Sequence, residues 1–193
     1  NGGYDVRHYE LDITYDPATD VLEGVAKIRA VATQDLSSFN LDLDGLEVHS
    51  VRVDDRRAGF TRDDGELTIT PRRGLRHRRP FEVVIEYSGI PETIIDLFGA
   101  SGFLHTDDGA LIVGQPHVAA TWFPVNDHPS DAATYSIYVR VPEGLEAIAN
   151  GVLTRTRTRR GWTTWSWEAK DPMASYLVGV AIGEFEIDTY RAD

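Results

Sequence analysis

Tyr9-Glu10-Leu11-Asp12-Ile13-Thr14-Tyr15 is the stretch whose reading decides the fold. Apolar and polar side chains alternate through all seven positions, and His8 extends the polar set by one. Successive side chains of an extended chain point to opposite faces, so this run describes a strand with one buried and one wet face. Asp16-Pro17-Ala18-Thr19-Asp20 then ends it with turn chemistry, since proline presets φ and aspartates bond nearby backbone amides. A second strand is predicted over residues 21–33, with Leu22, Gly24, Ala26, Ile28, Ala30 and Ala32 on one face. Small residues on that face imply that something packs closely against it.

The same period runs outward along the chain. Phe39, Leu41 and Leu43 alternate with polar neighbours, and residues 46–53 continue the pattern. It recurs at Leu67 and Ile69, at Phe81, Val83, Ile85 and Tyr87, over residues 111–113, and at Tyr135, Ile137, Val139 and Val141. Further strands are expected over 162–168 and 176–187. Asp63-Asp64-Gly65 and Asp107-Asp108-Gly109 are hairpin signals. No apolar stripe of helical period persists, so short helical turns are expected only over 91–98 and 118–122. About a dozen closely spaced strands predict an all-β fold of antiparallel sheets, arranged as a sandwich or a saddle. No repeat, linker or shift in composition divides the chain, which predicts one β-rich domain over residues 1–193.

Composition removes several classes of function. The 193 residues contain no cysteine, which excludes disulfides, thiol nucleophiles and cysteine zinc sites. No apolar run approaches the about 20 residues of a membrane span. A formal charge of −12 argues against general nucleic-acid binding, which needs clustered cations. Nothing in the residues distinguishes a cytoplasmic from a secreted protein. The chain starts at Asn1 and its one methionine is Met173, which predicts a removed leader or a piece of a longer chain.

Candidate sites were weighed residue by residue. Asp42-Leu43-Asp44-Gly45 lacks the glutamate of a calcium loop, because position 52 is arginine; solvent-facing aspartates before a turn are expected. Arg72-Arg73 and Arg76-His77-Arg78-Arg79 form the densest basic run and offer a place for phosphate or a polyanion. No aromatics interleave with them, so a solvated hairpin tip is the expectation. The threonine–arginine alternation from Thr154 to Arg160 reads as an exposed edge strand guarded by cations. Trp165 and Trp167 share a face and can pack in a core or stack on a sugar, with packing favoured; Trp162 faces the other way. From His105 to Asp131 the polar residues lose all period, among Pro116, Trp122, Phe123, Pro124 and Pro129. Burying polar groups costs a few kcal/mol unless they are bonded, so such a stretch lines a site or locks elements together. No H-E-x-x-H and no G-x-S-x-G occurs anywhere.

Three blocks carry a resemblance. Tyr4-Asp5-Val6-Arg7-His8-Tyr9 through Ile13 to Leu22-Glu23-Gly24 is the first. Gln115-Pro116-His117 through Ala120-Thr121-Trp122-Phe123-Pro124-Val125-Asn126-Asp127-His128-Pro129 to Tyr135 is the second. Ala149-Asn150-Gly151, Ser175-Tyr176-Leu177-Val178 and Gly183-Glu184-Phe185 make the third. In this order the chain resembles the amino-terminal domain of aminopeptidase N-type zinc metallopeptidases. The resemblance implies a saddle of sheets abutting a catalytic domain of the same parent chain. The zinc ligands, the general base and the amine-binding motif belong to that missing domain, beyond residue 193. By the same resemblance this chain holds no cofactor, no metal ligand and no catalytic residue, and is not an enzyme by itself.

Two substrate-binding residues are carried over from the family pattern. Gln115 stands where the family places a glutamine or glutamate beside the amino terminus of a peptide substrate. Its amide oxygen can accept from an α-ammonium group, a bond worth about 1.5–3 kcal/mol. His117 stands nearby, where many relatives carry an acid; imidazole is the poorer ammonium partner. Asp127, His128 and Pro129 match a bracing turn, and Ala132 replaces a common lysine. The reading is therefore a substrate-wall scaffold of a zinc aminopeptidase, without nucleic-acid or membrane partners. A free-standing β-sandwich binding module using Trp165 and Trp167 is the alternative, and a small metal hydrolase using His105, His117 and His128 ranks third.

Overall fold

The computed structural model describes residues 1–97, 99–114 and 118–188. Gln115 and His117 therefore lie outside the described residues. In chain order the strands are β1 (Tyr4–Asp16), β2 (Val21–Ala32), β3 (Phe39–Asp42), β4 (Glu47–Val53), β5 (Arg56–Arg57), β6 (Gly59–Asp63), β7 (Glu66–Thr70) and β8 (Pro80–Gly89). They continue with β9 (Thr93–Asp96), β10 (Gly99–His105), β11 (Ala110–Val113), β12 (Ala133–Pro142), β13 (Glu146–Ala149), β14 (Val152–Arg159), β15 (Trp162–Met173) and β16 (Val180–Gly183). Two 3-10 turns, Ala119–Thr121 and Ser175–Leu177, are the helical elements among the described residues. None is a helix long and apolar enough to cross a membrane.

The all-β expectation holds, with details that the alternation did not contain. The strands form three sheets. Eight run in the order β14-β15-β12-β1-β2-β8-β4-β5, five in the order β13-β16-β11-β10-β9, and three as β3-β7-β6. Neighbours are antiparallel except β1 and β12, which pair in parallel from His8↔Thr134 to Thr14↔Arg140. That pairing brings the ends of a long intervening segment to the middle of the large sheet.

Four expectations need correction. Residues 91–98 were expected as a helical turn, but Thr93–Asp96 is a strand paired with Gly99–Gly102. Thr93, Ile94 and Ile95 are β-branched, and a neighbouring edge decides the matter. Residues 176–187 were expected as one long strand, yet only Val180–Gly183 is extended and paired, after the 3-10 turn. The basic run is not a hairpin tip, because β7 pairs with β3 and β6 whereas β8 pairs with β2 and β4. Residues 71–79 therefore cross from one sheet to another. Finally, Asp42 is not merely solvent-facing, for its carboxylate accepts from the Asp127 amide and its backbone bridges Val125.

Burial follows the alternation closely. On β1, Tyr9, Leu11, Ile13 and Tyr15 are buried, and the facing side chains of β2, β8 and β12 join them in one apolar cluster. The small face of β2 has its reason at Gly24, where a Cβ would stand 2.2 Å from Cζ of Tyr87. The ring of Tyr87 lies against that bare backbone. Its hydroxyl is buried and has no hydrogen-bond partner among the described residues. β14 is exposed along its whole length at the sheet edge, as the threonine–arginine pattern predicts. Trp165 and Trp167 donate their indole N–H groups to the carbonyls of Leu145 (3.3 Å) and Ala147 (2.9 Å), and both pack against the core. They rivet β15 to β13, and Arg140 covers the Trp162 ring at 4.9 Å.

Two substitutions test this packing. Gly24→Ala drives a methyl into the Tyr87 ring and is expected to lower the unfolding free energy by about 1–3 kcal/mol. Tyr87→Phe removes an unsatisfied buried hydroxyl and is expected to leave stability unchanged or raised. Denaturant titration followed by circular dichroism reads both, and a strongly destabilised Tyr87→Phe protein contradicts the packing described.

Candidate functional site

The aperiodic stretch becomes intelligible from its ends inward. β11 closes at Gly114, where a Cβ would come within 2.8 Å of both Ser101 Cβ and Val118 Cγ1. Gly114 and Val118 thus meet side by side at the edge of the five-stranded sheet. Val118 is buried and caps the 3-10 turn: its carbonyl accepts from the Thr121 amide (3.2 Å) and the Thr121 hydroxyl (2.7 Å). Trp122 and Phe123 follow, both fully buried, with ring centroids 4.5 Å apart edge-to-face. Large aromatic rings carry much of a core's burial energy, so this pair anchors the stretch on the side away from solvent.

Residues 125–131 are tied on three sides. Val125 exchanges two backbone bonds with Asp42 on β3. The Asn126 amide donates to the Tyr9 hydroxyl at 3.1 Å, and Tyr9 in turn stacks on Tyr135 at 5.1 Å. The Asp127 amide donates to Asp42 (2.9 Å), while the Ser175 hydroxyl donates to Asp127 (2.6 Å). His128 accepts from Ser130 and donates its amide to the Asn126 carbonyl, closing a tight turn. Asp131 accepts from the Val6 amide at 3.1 Å and from the Asn126 side chain. The turn over Asp127, His128 and Pro129 therefore braces the loop between β1, β3 and β12. Sequence reasoning missed Asp42, Tyr9 and Ser175 as partners, and no local signal could have found them, because each lies far along the chain from the group it holds.

His105, at the start of the stretch, is committed elsewhere. His105 Nε2 donates to the Pro91 carbonyl (2.8 Å), and Nδ1 lies 3.0 Å from Asp20 and 3.1 Å from the Tyr15 hydroxyl. It pins the β1–β2 turn to β10. Among the described residues, no group of three or more histidine, cysteine or acidic side chains is placed to hold a metal ion.

The outer face of the five-stranded sheet is the other notable surface. Register places Ile148, Ala181, Leu111 and Leu104 in one row across β13, β16, β11 and β10. Leu111 is 41% exposed and Val113, beside Gly114, 48%. Ile95 on β9 is 82% exposed. Contiguous exposed apolar surface of this kind marks an interaction face.

The peptidase M1 N-terminal domain family matches residues 6–177. The chain belongs to that family. It is 25% identical over 183 residues to a leucyl aminopeptidase of Saccharolobus solfataricus, covering 94% of this chain and 22% of that protein. Among solved structures, an M1 zinc metallopeptidase of Deinococcus radiodurans superposes with a TM-score of 0.88 at 30% identity, over 94% of this chain and 42% of that one. A mutant of the same enzyme bound to a Tyr-Ser-Ala substrate superposes with a TM-score of 0.87 at 30% identity, with the same coverage. The chain thus spans about a fifth of the length of these curated relatives.

Burial pushes the Asp131 carboxyl above the usual aspartate range, against the opposing effect of its bonds from Asn126 and Val6. A raised value means that the fold holds the proton more tightly than the unfolded chain does. The associated stability is present below the unfolded value of about 3.9 and is lost as pH rises through the folded one. Asp131→Asn has no such dependence. It is expected to destabilise the protein at every pH, with the deficit largest in acid and narrowing toward neutrality. Chemical denaturation at a series of pH values measures this, and a deficit that widens with pH contradicts the assignment.

Proposed function

We propose that this M1 chain is the amino-terminal scaffold and substrate wall of a zinc-dependent aminopeptidase that removes amino-terminal residues from peptides. The observation that carries the reading is the apolar row on the five-stranded sheet beside Gly114 and Val118, in a chain of this family. Burying that row needs a partner, and the reading assigns the rest of the parent chain to it. The zinc and the groups that activate water belong to that portion. The whole chain, residues 1–193, acts in this reading as one β-rich domain.

Its chemical contribution is positional. Gln115 supplies an amide oxygen to the α-ammonium of the substrate, and His117 shapes the space around the first side chain. A peptide held by its charged amino end presents its first peptide bond at a set distance, and this selects removal of one residue over internal cleavage. The anchor formed by Val118, Trp122 and Phe123 favours this role, because positioning groups work only when their supports are rigid.

The test uses the full-length parent enzyme. Gln115→Ala is expected to reduce kcat/KM for amino-acid anilides by about 10- to 100-fold, the worth of one bond to a charged donor. Gln115→Glu is expected to retain activity, and zinc content is expected to stay unchanged in both variants. Unaltered kinetics in Gln115→Ala would remove this residue from the site.

A further inference from the structure

We propose that the cleft between the β4–β5 turn and the β7–β8 crossing is a binding site for a small anion bearing several phosphate groups. The cleft has a volume of ≈ 330 Å³, and Arg56, Arg72, Arg73, Arg76 and Arg79 all line it. Asp54 is the one carboxylate in that lining. It already accepts the Glu82 amide at 3.0 Å, so it serves to tie backbone together. None of the five arginines makes an ion pair among the described residues, whereas Arg7 and Arg29 pair with Asp5, Glu10 and Glu82. Five positive charges thus converge on one concavity in a chain of net charge −12.

The crossing is built as a rigid frame. Leu36 and Leu75 exchange two backbone bonds of 2.9 and 2.8 Å. The Arg78 amide donates to the Ala32 carbonyl (2.8 Å), and the Ala32 amide donates to the Arg79 carbonyl (3.1 Å). The His77 amide donates to Asp35 at 2.7 Å. Arg78 is held at φ 61°, a conformation that side-chain-bearing residues adopt at a cost and that the surrounding bonds enforce. Leu75 and Phe81, both nearly buried, contribute the apolar part of the lining.

This arrangement suits phosphate by its chemistry. Guanidinium forks present paired donors that match phosphate oxygens, and they stay charged at any physiological pH. A ligand carrying several phosphates relieves the mutual repulsion of the five cations. The volume is that of a small-molecule pocket, and the one aromatic residue in its lining, Phe81, is buried and offers no stacking platform for a nucleic-acid strand.

The test is calorimetric titration of the 193-residue chain with tripolyphosphate, with ATP and with citrate at low salt. Tripolyphosphate and ATP are expected to bind one per chain, and citrate more weakly than either. Affinity for ATP equal to that for tripolyphosphate assigns recognition to the phosphates alone, while tighter ATP binding adds the apolar lining; both outcomes support the site. Arg72→Glu/Arg76→Glu is expected to abolish binding. Arg76→Lys, which keeps the charge and loses the fork, is expected to weaken it about tenfold. Arg155→Glu/Arg157→Glu on the open edge strand β14 is the control for bulk charge and is expected to leave affinity unchanged. Circular dichroism verifies that each variant is folded. Absence of tripolyphosphate and ATP binding, citrate binding as tight as tripolyphosphate, or an equal loss in the β14 control would overturn the proposal.

Discussion

The buried ring of Tyr9 is where the parts of this molecule meet. Its body stacks on Tyr135 and meets Phe123 edge-on, while its hydroxyl accepts the Asn126 amide. One side chain therefore joins the first strand, the parallel partner β12 and the stretch that precedes it. A ring in this position meets two demands together, since it fills core volume and satisfies a buried amide that β-sheet pairing does not reach. The same contact lies within the parallel pairing of β1 and β12, where Tyr9 stands opposite Tyr135. The pairing returns the chain to the sheet centre after a long excursion and delivers residues 123–131 beside the first strand.

From that junction the two surfaces of interest diverge. The five-stranded sheet turns an apolar row outward, near Gly114 and Val118. The connection from β7 to β8 sets exposed arginines around a cleft whose lining includes the buried Leu75 and Phe81. The first surface carries an apolar row, and in the proposed reading a protein partner takes it out of water. The second has unneutralised charge and needs an anion. Neither the exposed apolar side chains nor the arginine charges are used by a partner within the described residues, which is why both read as devices for something outside it.

Much of the fold was legible because β-strands with one wet face write their burial into a period of two. Leu11 and Ile13, or Val83 and Ile85, declare their face without help from the rest of the chain. The hairpins at Asp64-Gly65 and within 106–109 were legible for a related reason, since a tight reversal has few chemical solutions. Strand partners were another matter. Nothing near Thr93 announces β10, and nothing in the basic run says that it joins two sheets. The candidate site was legible as a place but not as a construction. Loss of period from His105 to Asp131, with Trp122 and Phe123 inside it, marked where something unusual happens. That Asp42, Ser175 and Val6 hold the turn at Asn126 to Asp131 could not be read, because those contacts span up to 125 residues of chain.

Local chemistry alone determined that this polypeptide is built of strands, which faces of them are apolar, and where its family signature lies. Alternation, turn residues and side-chain size act over a few residues, and the sequence displays them directly. Tertiary structure decided which strands became neighbours, that β1 and β12 run in parallel, and that Arg56 of β5 joins the four arginines of the β7–β8 connection around one cleft. Those outcomes follow from the competition of all faces for burial at once, and no window of sequence contains that competition.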